Sequence, residues 1–234
     1  MSWFSRRSRD ESDEADTPSE VPDSPADAGE PPADDAGPWD VADVASRGTR
    51  LDLGALWVPV SETLTVRLDW EKKAGKLVAV NVARDGSNLR LQVFAAPKSA
   101  RLWDAIRSEM VDSIIAGGGT AEEDQGPFGG ELRAKLPATT RDGRTGKRAV
   151  RFVGIDGPRW FLRAEFTGKA ATNPQAAQPL ESVLRDVVVD RGTDAHPPRE
   201  LLYLTLPGGS PPQGPAGPQP LTMPGRGPEI AEVR

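Results

Sequence analysis

The chain has 234 residues, 35 acidic against 29 basic, with one His, no Cys, 24 Gly and 23 Pro. Without Cys there is no disulfide framework, thiol nucleophile or Cys-ligated metal, and a single His excludes any two-His metal motif. No run of about 18 apolar residues is available to span a membrane as a helix. The first residues, Met1-Ser2-Trp3-Phe4-Ser5-Arg6-Arg7, lack the apolar stretch that follows the basic start of a secretory signal, so a cytoplasmic protein is expected.

Residues 1–38 hold three basic and eleven acidic side chains, a net −8, which leaves the remainder at +2. Between Asp10 and Pro38 there is one Val and no Leu, Ile, Phe, Trp or Tyr. Such a segment buries too little apolar surface to offset an ordering cost of roughly 1–2 kcal/mol per residue, so a disordered acidic tail is expected. It solvates the chain, decoys a basic partner or covers a basic patch of the chain's own domain.

The next stretch, 39–207, has the size of one domain. Asp40 to Ala45 reads as a short helical turn, and Leu51 to Val58 as a strand ended by Pro59. Leu64 to Trp70 alternates strictly, with Leu64, Val66, Leu68 and Trp70 on one face and Thr65, Arg67 and Asp69 on the other. Lys76 to Ala83 is a third strand, and Asp85-Gly86 turns into a fourth over Leu89 to Phe94. The period then becomes helical: Leu102, Trp103, Ile106, Met110, Ile114 and Ile115 recur every three or four residues within 98–116. Ser99 is the expected cap and Gly117-Gly118-Gly119 the stop. Glu131 to Leu136, Val150 to Ile155 and Trp160 to Phe166 read as strands, the last two joined by the hairpin signal Asp156-Gly157-Pro158. A second helix is expected near 179–190 and a last strand over 201–206. Short turns make these strands antiparallel. The fold class is therefore α+β: a mostly antiparallel sheet of about seven to eight strands with two helices on one face.

Residues 208–234 contain seven Pro and six Gly, so a second disordered tail is expected. Its terminal stretch Glu229 to Arg234 is a frayed end or a docking peptide.

Candidate chemistry is sparse. Gly117-Gly118-Gly119-Thr120 follows a helix rather than preceding one, which is the wrong order for a phosphate loop. His196 stands in a loop with no visible nucleophile or orienting carboxylate. Glu122-Glu123-Asp124 lacks the spacing of a calcium loop, and no metal or cofactor is expected. The basic residues are more informative. Arg133, Lys135, Arg141, Arg144, Lys147, Arg148 and Arg151 fall within nineteen positions, followed by Arg159 and Arg163, with Phe152, Trp160, Phe161 and Phe166 interleaved. Such a mixture grips phosphates and stacks bases, or simply fills a core. Arg141, Arg144, Lys147 and Arg148 are the candidate anion contacts, and Trp39, Trp57, Arg159, Trp160 and Arg163 the candidate partner-binding residues.

Pro38-Trp39-Asp40, Arg50 to Pro59, Arg159 to Arg163 and Pro198 to Leu202 together resemble the signature segments of an uncharacterised actinobacterial family, domain of unknown function 3710. The resemblance covers roughly 38–207 and implies an actinobacterial cytoplasmic protein; it carries no catalytic residues. With no nucleophile–base pair and two compositionally distinct tails, the expected function is a non-catalytic module that binds or regulates another protein. The alternative is a protein or enzyme that engages nucleic acid or nucleotides through the basic and aromatic stretch 133–163. The sequence leaves the oligomeric state open.

Overall fold

The structure is a computed structural model that describes residues 37–139 and 143–207. Of the expected disordered tails, residues 1–36 and 208–234 fall outside the described residues, as does Arg141. Gly37 and Pro38, expected at the end of the first tail, are part of the described domain, and Gly37 is buried.

The strands of the large sheet are β4 (Thr65–Glu71), β5 (Lys76–Arg84), β6 (Ser87–Ala95), β7 (Thr120–Gly126), β8 (Gly129–Thr139), β9 (Thr145–Gly157) and β10 (Trp160–Gly168). Helix α1 (Trp103–Ala116) separates β6 from β7, and α2 (Pro174–Arg185) follows β10. Four short strands, β1 (Trp39–Asp40), β2 (Leu51–Asp52), β3 (Leu56–Val58) and β11 (Val188–Val189), form a separate sheet in the order β1-β11-β3-β2. The large sheet is antiparallel throughout, in the order β4-β5-β6-β10-β9-β8-β7. It is two meanders in sequence, β4–β6 and β7–β10, carried apart by α1 and joined along β6 and β10. The α+β class and the antiparallel sheet are therefore as the sequence indicates.

The helices, in contrast to the expectation of a shared face, lie on opposite faces of that sheet. Leu89, Leu91 and Val93 of β6 and Leu162, Ala164 and Phe166 of β10 pack with α2 residues Leu180 and Leu184 and with the small sheet. The alternate residues, Phe152 and Val150 of β9 with Phe161 of β10, pack with Trp103 and Ile106 of α1. Strand β9 is apolar on both faces, burying Val150 and Phe152 on one and Val153 on the other. A strand of this kind needs cover on both sides.

Local chemistry sets the element ends. α1 begins at Trp103 rather than near Lys98, and no side chain of its own caps it. The Asp156 carboxylate does so from the β9–β10 end, accepting from the backbone N–H of Leu102 at 2.7 Å and Trp103 at 3.2 Å. At the other end Gly118 takes φ +77°, a conformation that suits glycine, which makes the triple-glycine stop the left-handed turn the sequence suggests. Asn173 caps α2, with Pro174 at its first turn.

A buried ion network fastens α2 to the sheet. Arg151 donates to Glu181 at 2.6 Å and approaches Glu131 at 3.6 Å, while Arg133 pairs the other Glu131 oxygen at 3.0 Å. The Arg151 guanidinium also stacks over Phe166. The expected last strand over 201–206 is instead a seam between the sheets. Leu204 N–H donates to Leu77 and Thr205 N–H to Leu53, so successive residues serve different sheets and no continuous ladder forms.

Candidate functional site

Because α1 covers only part of its face, a band formed by β4, β5, β6, β10 and the start of β9 is left without a helix. The strict alternation of β6 sends Leu89, Leu91 and Val93 to the core and Asn88, Arg90 and Gln92 to this band. Registers align them with Asn81 of β5, with Arg67 and Asp69 of β4, and with Arg163 and Glu165 of β10. Arg148 of β9 reaches the same band, 3.7 Å from Glu165.

Gln92 is the centre of this band. Its amide nitrogen donates to the Val78 carbonyl, which fixes the amide so that its oxygen faces outward. That oxygen accepts from Arg163 at 2.5 Å and from Arg90 at 3.2 Å, holding two guanidiniums on one atom. Arg90 is balanced by Asp69 at 2.9 Å. Arg163 has no carboxylate in ion-pair range among the described residues; it lies half-buried over the Phe94 ring. Burial, and then the neighbouring Arg90, hold the Arg163 guanidinium below its ordinary pKa, with Glu165 partly offsetting them. The band thus presents a pre-ordered, partly desolvated cation whose fork of donors matches a carboxylate or phosphate.

The other sequence candidates lie elsewhere. Trp39 and Trp57 are half-buried on the small sheet, in register with Val188, which stands between them and is fully buried. Trp160 is a core residue, 1% exposed, and its indole N–H donates to Asp40 at 2.7 Å, tying β1 to β10; it presents no surface to a partner. Arg159 occupies the β9–β10 turn with φ +64°. Arg144 and Lys147 lie exposed toward the β8–β9 hairpin. Among the described residues of the basic cluster, only Arg148 joins Arg163 on this band. Phe161 and Phe166 are fully buried and Phe152 nearly so, so these rings offer no platform for bases. Arg90, Gln92, Asp69 and Glu165 escaped sequence reasoning, although the polar half of the alternation in 88–92 was visible.

His196 is paired with Glu200 at 3.0 Å in an exposed loop. A surface hollow of about 250 Å³ is lined by Arg107, Glu123, Asp124, Gln125 and Gly130. Its Arg107 is engaged by Asp104 and Glu123, and the hollow is smaller than the roughly 300–1,000 Å³ of most ligand pockets.

A mixed two-sheet α+β domain with a polar, arginine-bearing sheet face is the class of protein these features define. Residues 37–213 match the family described as Protein of unknown function (DUF3710), and the chain belongs to that family. A comparison with curated proteins found no match. No helix among the described residues is long and apolar enough to cross a membrane.

Proposed function

We propose that the chain is a non-catalytic binding module whose uncovered sheet band receives an extended, acidic segment of another protein. The observation that carries this reading is the Arg163–Gln92–Arg90 arrangement, in which a half-buried guanidinium has an amide but no carboxylate for company. An incoming carboxylate gains a charge-assisted, two-pronged hydrogen bond at a site already partly dry. Arg67 and Arg148 flank the centre and favour a chain of several acidic residues over a single small anion. An actinobacterial, cytoplasmic setting is part of this proposal, and the family resemblance supports it. The nucleic-acid reading draws on the same cations but has no exposed ring of the 152–166 stretch on which to stack a base.

The test is fluorescence anisotropy of the full chain with a labelled poly-glutamate of roughly twelve residues and with an oligothymidylate of similar length. Poly-glutamate is expected to bind at about 0.05 M salt and to weaken at about 0.5 M, and Arg163→Gln is expected to reduce its affinity about tenfold. Tighter binding of the oligonucleotide would replace this reading with the nucleic-acid one. Equal binding by the Arg163→Gln variant would place the acidic segment elsewhere.

A further inference from the structure

The large sheet ends in two strands that differ in charge. β7 is one edge, and its centre is Glu122-Glu123-Asp124; self-pairing through any of these three sets like carboxylates opposite each other. That is a common way for a protein to prevent its own sheets from joining. β4 is the other edge, with the sequence Thr65-Val66-Arg67-Leu68-Asp69-Trp70-Glu71. It carries no Pro, and its outer side has no paired strand among the described residues. The bulge in its pairing lies on the β5 side, where Val78 is the extra residue, so β4 itself keeps its alternation.

We propose that two copies of the chain pair antiparallel along β4, about a two-fold axis through Leu68, to form one continuous sheet. Residues opposite each other in an antiparallel pair share a face, so the two-fold must pass through a residue rather than between residues. Each possible centre sets a different pairing. An axis through Arg67 opposes Arg67 to its own copy, and an axis through Asp69 opposes Asp69 to its own copy. The axis through Leu68 opposes Arg67 to the partner's Asp69 and Asp69 to the partner's Arg67. On the other face it sets Val66 against the partner's Trp70 and Leu68 against itself. Aromatic–β-branched and opposite-charge pairs are the favourable cross-strand combinations, and this register supplies both.

Trp70 is the residue that most needs such a partner. It is 53% exposed, while Val66 and Leu68 on the same face are packed partly against the main core. Arg67 is exposed, and Asp69, on the same face and away from Trp70, holds Arg90. A seven-residue edge is a small interface, so roughly micromolar self-association is expected.

The experiment is sedimentation of the full chain over about 1–500 μM, with far-UV circular dichroism as the fold control. The wild-type chain is expected to pass from monomer to dimer across this range. Arg67→Asp alone and Asp69→Arg alone each put like charges opposite one another and are expected to weaken self-association at least about tenfold. Mixed in equal amounts, the two variants restore both opposite-charge pairs and are expected to form a heterodimer. The chain has no native Cys, so Leu68→Cys, which lies on the axis, is expected to cross-link to its copy on mild oxidation, whereas Val66→Cys is not. That comparison stands even if Asp69→Arg, which also removes the partner of Arg90, fails to fold. A wild-type chain monomeric throughout, a dimer indifferent to Arg67→Asp, or equal cross-linking at positions 66 and 68 would overturn the proposal.

Discussion

Asp156 serves a helix more than fifty positions earlier in the chain, and its removal can be read directly. Asp156→Ala deletes both acceptors at the α1 start. It is expected to cost about 1 kcal/mol and to lower the melting midpoint by roughly 2–4 °C in a domain of this size. Asp156→Asn keeps one acceptor oxygen and should recover much of the loss; an unchanged midpoint in the Ala variant would show that α1 needs no cap. Arg151 presents a larger effect, because its loss leaves Glu181 buried without a cation. Arg151→Met is expected to destabilise by about 3–5 kcal/mol in denaturant unfolding. Its partners were not legible in sequence: Arg151, Glu131 and Glu181 are separated by strands and a helix, and each alone reads as an exposed charge. The same limit applied to Arg163, whose burial and missing carboxylate depend on strand neighbours sixty or more positions away.

At the scale of elements, periodicity located the clearly alternating strands and α1, because each exposes one face to a different medium. But it placed the second helix over 179–190, where α2 spans Pro174–Arg185 and Val188–Val189 form the buried strand β11. It failed where the medium is protein on both sides. In β9 the run Val150 to Ile155 packs against α1 with one set of side chains and against the main core with the other. An all-apolar run does not say which helix covers which face, and the two helices were therefore assigned together. It failed too at β7, whose seven residues are mostly exposed and, among the described residues, pair only with β8, so no apolar stripe marks them. Gly154 offers a direct check of the opposed-face arrangement. A Cβ built there would sit 2.2 Å from the Trp103 ring, so the strand accepts α1 at this point only through a glycine. Gly154→Ala is expected to cost about 1–3 kcal/mol and to speed amide exchange in α1 more than in α2. Equal effects in the two helices would contradict their separate packing.

On the scale of the whole molecule, charge is divided between a segment and a domain. Asp10 to Asp35 contain eleven acidic residues and no basic one, and removing residues 1–36 changes the net charge of the chain from −6 to +2. The main core is built from residues 51–204, so the truncated chain is expected to melt within about 2 °C of the full one. Its binding should differ. An acidic segment tethered to a domain is expected to compete with an acidic partner, at an effective concentration of roughly millimolar. The truncated chain is therefore expected to bind poly-glutamate about tenfold more tightly than the full chain at about 0.05 M salt. At about 1 M salt, where charges are screened beyond roughly 3 Å, the difference should vanish. Equal affinity at low salt would mean that the acidic segment does not compete for the arginine band. A difference that persists at high salt would mean that it acts by occupying space rather than by charge.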